Sequence, residues 1–269
     1  MLKVRTALDR DGVRIADVAC RHGRGRGEAE EASDRAIVFV RRGCFVRCDE
    51  AGEVLLDATA AYCMNPGDEH RYDHPSHGGD DCTTLFLDAD LAASLWGGDP
   101  TLPSGSLPSS PRFDLEQRLL LAGARRGADP EELAERSILL AAAALEQGDA
   151  RRIASGRPAT VHARRRLTDA VREALSADPG RSLPDLARSL AVSPHHLSRV
   201  FHDVQGSTIS RHRMRLRSRG AMERLADGER NLARLAADLG FADQGHLCRV
   251  IRAETGQTPT ALRLALASS

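Results

Sequence analysis

Two copies of one helix-turn-helix pattern stand about fifty residues apart near the end of the chain, over 183–201 and 232–251, and they constrain the fold more than any other feature. In the first copy Leu183, Leu186, Ala187 and Leu190 recur at helical spacing, Ala191-Val192-Ser193 makes a turn, and Pro194 opens a second helix through Leu197, Val200 and Phe201. In the second, Leu232, Leu235, Ala236 and Leu239 lead into Gly240-Phe241-Ala242-Asp243, and Leu247, Val250 and Ile251 carry the buried face that follows. Ala187 and Ala236 hold equivalent places, where two steeply crossing helices leave room only for a small side chain.

The helix starts are marked independently. Ser182 opens a Ser-x-x-Asp capping box with Asp185, and Ser193 and Asp243 stand as N-caps before the two second helices. The run Ser193-Pro194-His195-His196-Leu197-Ser198-Arg199-Val200-Phe201, the Gly240-Phe241 turn and the closing Gly256-Gln257-Thr258-Pro259 together resemble the AraC/XylS family of bacterial transcriptional regulators, over about Ala163 to Arg263. The resemblance implies two helix-turn-helix units joined by a long helix and entering successive major grooves on one face of the duplex.

The formal charge of zero hides a division. From Val161 onward there are 18 Arg, no Lys and 11 Asp or Glu, a net +7, so the preceding 160 residues carry −7. Only the C-terminal part has the balance of a polyanion binder. The six cysteines, Cys20, Cys44, Cys48, Cys63, Cys82 and Cys248, lack the dense spacing of a secreted disulfide scaffold, which points to reduced thiols in a cytoplasmic protein. No apolar run approaches the ~20 residues needed to span a bilayer, and the first nineteen residues lack a signal-peptide core, so no membrane partner is expected.

A chain of 269 residues has room for two cores. Short strands are expected at 36–40, 44–47, 54–56, 61–64 and 83–87, punctuated by Gly43, Gly52 and Asn65-Pro66-Gly67, and that interval suggests a small β-barrel or sandwich. Pro66-Gly67-Asp68-Glu69-His70 resembles the second half-motif of a cupin barrel, the usual effector domain of the family, while the first half-motif with its His-x-His pair has no counterpart near 42–49. Helices are expected at 113–126 and 130–147. The fold class is therefore two-domain: a mainly-β cupin-like barrel with accessory helices over 1–148, a linker over 149–160, and an all-α domain with two helix-turn-helix motifs over 161–269. The resemblance implies a homodimer through the accessory helices, and the apolar face of 138–145 exceeds what a small barrel should need for cover.

Recognition helices read base edges with their N-terminal residues. Matching to the family places His195, His196, Ser198 and Arg199 on the first groove-facing surface and Gln244, Gly245, His246 and Arg249 on the second. Arg199, Gln244 and Arg249 are the expected base contacts. The intervening helix, about 208–225, carries Arg211, Arg213, Arg215, Arg217 and Arg219, of which Arg211, Arg215 and Arg219 share one face. These five cations are expected to screen phosphates, on a helix of roughly 27 Å that would set two readers near one ~34 Å DNA turn apart.

In the first domain Cys44, Cys48, Cys63, His70, His74, His77 and Cys82 crowd a short span, with Cys44 and Cys48 on one strand face. Cys44, Cys48, His70, His74 and Cys82 are candidates for a soft metal ion or a thiol-based sensor, against packed cysteines lining a site for a small-molecule effector. Aromatic content of 3% argues against an aromatic cage. The expected function is a sequence-specific regulator that binds double-stranded promoter DNA and, as the resemblance implies, contacts RNA polymerase. It is not expected to be an enzyme. Two alternatives stand beside it: a cysteine-based alkyl acceptor or cupin-type metal enzyme attached to a DNA-binding module, and a packaging protein that binds DNA without regard to sequence.

Overall fold

The computed structural model describes residues 2–267 apart from 22, 51, 76–78 and 150–157. Ten strands come first: β1 (Leu2–Arg10), β2 (Val13–Cys20), β3 (Ala29–Glu31), β4 (Ala36–Arg42), β5 (Cys44–Asp49), β6 (Gly52–Asp57), β7 (Ala60–Met64), β8 (Glu69–Asp73), β9 (Asp80–Leu87) and, after helix α1 (Ala89–Leu95), β10 (Ser106–Pro108). They form two antiparallel sheets, ordered β1-β2-β9-β4-β7-β10 and β3-β8-β5-β6. The five strands expected from sequence are β4, β5, β6, β7 and β9. The continuous apolar run Ala36–Val40 is buried on both faces because the larger sheet lies between two layers.

Pleating divides that sheet's side chains. Ile37, Phe39, Cys63 and Leu85 face α2 (Pro111–Arg125) and α3 (Pro130–Asp149), meeting Phe113, Leu120 and Leu140. Val38, Val40, Tyr62 and Cys82 face the smaller sheet and meet Phe45 and Leu56. The result is a double-sheet barrel with helices over one side. Those helices spend their apolar residues there: Leu140, Ala141, Ala144 and Leu145 are all buried against the barrel, and of this stretch only Leu139 stands out as an exposed large apolar residue, at 62%. The surplus apolar face offered as a reason for dimerisation is thereby reduced to one side chain.

The C-terminal region is all helical: α4 (Pro158–Ala177), α5 (Leu183–Ser189), α6 (Pro194–Gln205), α7 (Ile209–Ala226), α8 (Leu232–Asp238), α9 (Gln244–Thr255) and α10 (Pro259–Leu266). The expected linker falls largely on 150–157, outside the described residues, and α4 already begins at Pro158. Leu186, Ala187, Leu197 and Phe201 pack with Val171 and Leu175 in one core, and Leu235, Ala236, Leu247 and Ile251 pack with Met222 and Leu262 in the other.

The two regions share a polar seam. Asp57 meets Arg172 of α4, and Arg219 of α7 donates to the Ser109 carbonyl (2.8 Å) beside Asp114. Leu115 of α2 enters the core of the second helix-turn-helix unit. Among the described residues, no helix is long and apolar enough to cross a membrane.

Candidate nucleic-acid interface and cavity

The expected caps set both units. The side chains of Ser182, Ser193 and Asp243 accept from the backbone N–H groups of Asp185, His196 and His246, three residues on. Both first helices end alike, with the Val192 N–H reaching the Ala187 carbonyl (3.0 Å) and the Phe241 N–H reaching that of Ala236 (2.9 Å). The second turn is one residue longer, since Leu190 precedes Ser193 by three positions and Leu239 precedes Asp243 by four.

At the head of α6, His195, His196 and Arg199 are exposed, while Ser198 is half-buried. At the head of α9, Gln244, Gly245 and Arg249 are exposed. A Cβ on Gly245 would come within 3.2 Å of Arg249 Nη1, so the glycine leaves the guanidinium room to lie across the start of the helix. His246 is turned inward: its ring packs edge-on against Phe241, and its Nδ1 accepts the Ala242 N–H (3.3 Å). It shapes the turn from within the protein.

The arginine helix divides its cations differently from the expected screen. Arg211 is exposed and Arg213 and Arg215 are half-buried. Arg219 is only 2% exposed and serves the domain seam, because the i+8 position lies where α7 meets the first domain. Arg217 donates to the carbonyls of Pro179 (3.0 Å) and Gly240, tying the loop after α4 to the second helix-turn-helix turn. Arg213 keeps Nε and Nη2 buried with no acceptor among the described residues, and burial lowers its pKa from the ordinary arginine value. A phosphate is an acceptor that such a guanidinium would take.

In the first domain a cavity of about 900 Å³ opens between the sheets. Its walls include Val38, Phe45, Tyr62, Tyr72 and Phe86. Four of the chain's nine aromatic residues thus line one space, and Phe45 stands edge-on to Tyr72 at 5.3 Å. A low average content conceals a local concentration, so the cavity has aromatic walls, contrary to the expectation from composition.

The thiol and imidazole group also divides. His70, His74 and Cys82 line the cavity. Cys63 faces the helices instead. Cys44 lies opposite Asp57 in the β5–β6 ladder, and Cys48 lies two positions on along the same face, away from the inward-facing Phe45. Cys48 is raised in pKa by burial and by the Asp73 carboxylate, 3.7 Å from its sulfur, and is no activated thiolate. His70 Nδ1 lies 3.0 Å from the Asp68 carbonyl, and His77 lies outside the described residues. Cys20, which the sequence reading left out of the group, joins His74 and Asp80 at the cavity wall. The signal that could have found it was the pairing of strands far apart in sequence.

Residues 186–265 match a family model described as a helix-turn-helix domain. The regulatory protein PocR of Salmonella typhimurium is 32% identical over 81 residues, covering 30% of this chain; the match spans about a quarter (27%) of that relative. Among solved structures, ToxT from Vibrio cholerae O395 aligns over 96% of this chain and 99% of its own, with 10% identity and a TM-score of 0.37. A cupin domain from Bordetella pertussis Tohama I covers 33% of this chain and 94% of its own, with 17% identity and a TM-score of 0.27.

Proposed function

We propose that this chain, whose C-terminal domain is a double helix-turn-helix of the AraC/XylS type, is a transcriptional regulator that reads double-stranded promoter DNA through α6 and α9. The observation that carries the reading is the repeated presentation of one exposed arginine, Arg199 and Arg249, at the same position of two N-capped helices whose cores match. Phosphate contacts from Arg211, Arg213 and Arg215 between the two readers supply affinity without sequence.

The barrel cavity is the site of the effector in this reading. Its size falls within the range of small-molecule sites, and its aromatic walls suit an apolar organic body. Contact with RNA polymerase and a homodimer belong to the same proposal, both carried over from the family resemblance.

Selection of binding sites from random duplexes, followed by competition with unrelated DNA, tests the proposal. A regulator yields two short conserved blocks about one helical turn apart and an affinity ratio on the order of 10³ or more over random sequence. Equal competition by any DNA would return the chain to a packaging role.

A further inference from the structure

We propose that Cys20, His74 and Asp80 form a binding site for a zinc-class divalent cation at the wall of the barrel cavity. The three side chains come from three segments. Cys20 ends β2 and Asp80 begins β9, and the two stand directly opposite in the antiparallel ladder, which sends their side chains to the same face. His74 follows β8 and is held by a pair of backbone hydrogen bonds with Gly25, 2.8 and 3.0 Å. Their donor atoms all lie within 4.8 Å of one another, and each residue is at most 7% exposed.

The convergence is on one nitrogen. His74 Nε2 is 3.5 Å from Cys20 Sγ and 2.8 Å from Asp80 Oδ1. That nitrogen either donates to the carboxylate or accepts from the thiol, and it cannot do both. A cation among the three atoms would engage all of them at once. A tetrahedral zinc-class ion sets sulfur and nitrogen donors about 3.5 Å apart, the spacing found here, and asks nitrogen and oxygen to separate by only about half an ångström.

Charge favours the same occupant. On binding, the Cys20 thiol releases its proton to solvent, and the thiolate, the carboxylate and a neutral imidazole then balance a divalent ion to zero in a buried place. A sulfur, nitrogen and oxygen set selects a borderline-soft ion over magnesium or calcium. Cys82 supports the site from behind, where its thiol donates to Asp80 Oδ2 at 3.4 Å. Three protein donors leave one position facing the cavity. The inference stands on this cluster alone and holds whether or not the chain reads DNA.

The test is titration of the reduced full-length protein with Co²⁺, followed by absorbance and equilibrium dialysis. One equivalent per chain is expected, with a thiolate-to-cobalt charge-transfer band that Zn²⁺ abolishes. Cys20→Ala should remove the band, and His74→Gln should weaken binding by at least about tenfold. Cys44→Ser and Cys48→Ser should leave both readouts unchanged. Failure of the wild-type protein to bind, or a band and affinity that persist in either folded Cys20→Ala or folded His74→Gln, overturns the site. Should Cys20→Ala not fold, circular dichroism identifies the loss and His74→Gln decides the question.

Discussion

Asp57 and Arg172 form a buried ion pair across the seam between the barrel and the helical domain, with Arg172 Nε donating to Asp57 Oδ2 at 2.9 Å. The pair is closed on every side. Asp57 Oδ1 accepts the backbone N–H and hydroxyl of Thr59, Arg172 Nη1 donates to the Leu55 carbonyl, and His212 of α7 stands 3.5 Å from the same carboxylate. One carboxylate at the end of β6 therefore touches the helix that precedes the first helix-turn-helix unit and the helix that joins the two. Asp57→Asn should cost about 1–3 kcal/mol, because it leaves the buried Arg172 guanidinium with Asp169, 3.3 Å from Nη1 and partly exposed, as its remaining carboxylate partner. Denaturant unfolding measures it, and a double variant with Arg172→Met should recover much of the loss, since both partners are then apolar or neutral. Additive losses would mean that the two residues act separately.

The same pair sets an acid limit on docking. Burial alone would raise the Asp57 pKa, but the Arg172 guanidinium and His212 outweigh it and hold the carboxyl well below its ordinary value. A carboxyl depressed in the folded state contributes stability above its unfolded pKa, about 3.9, and loses it as pH falls toward the folded value. The seam should hold from neutrality to about pH 4 and loosen only below. Hydrogen exchange in α4 between pH 7 and pH 3 checks this; protection that fades already near pH 6 would place the weak point elsewhere.

Legibility in the sequence followed the range of the interactions. The recognition units could be read because their determinants are local: Ser193 caps a residue three positions away, and Leu186 and Leu197 meet across one turn. Five of the ten described strands were legible for the same reason, as runs such as Ala36–Val40. The seam was not, since Asp57 and Arg172 are more than a hundred residues apart and neither is unusual in its own neighbourhood. Arg219 shows the cost: by helical spacing it belongs with Arg211 and Arg215, yet its turn of α7 meets Ser109. The cavity cluster failed likewise, because nearness in sequence favoured Cys44 and Cys48 while the β2–β9 ladder brought Cys20 to Asp80.

Arg199 and Arg213 should fail in different ways on DNA. Arg199 is exposed near the start of α6, where a guanidinium can engage a guanine edge. Arg199→Ala should cost about 1–3 kcal/mol on the selected site and relax one base position. Arg213, between the readers, should weaken all sequences about equally when replaced by Ala and reduce the slope of log affinity against log salt by about one. Titrations on matched and single-mismatch duplexes at several salt concentrations separate the two, and an equal loss on every duplex for Arg199→Ala would make it a phosphate contact.

Ala191 and Gly240 occupy equivalent places in the two turns and should respond in opposite directions to exchange. Both follow the C-cap residue of a first helix, Leu190 and Leu239, and both have left-handed backbone, φ +54° and +72°. For alanine that conformation costs about 1–2 kcal/mol, and the freedom a glycine gains in the unfolded chain offsets about 0.5–1 of it. Ala191→Gly should therefore stabilise the domain by about 0.5–1 kcal/mol. At Gly240 the opposite exchange adds a steric term, because a new Cβ would sit 2.9 Å from Arg217 Nη2, in the group that ties Gly240 to Pro179. Gly240→Ala should cost about 1–3 kcal/mol, and part of that cost should vanish in an Arg217→Ala background. Thermal unfolding of the four variants decides it: a stabilising Gly240→Ala, or a cost indifferent to Arg217, would show that the second turn is set by something other than this contact.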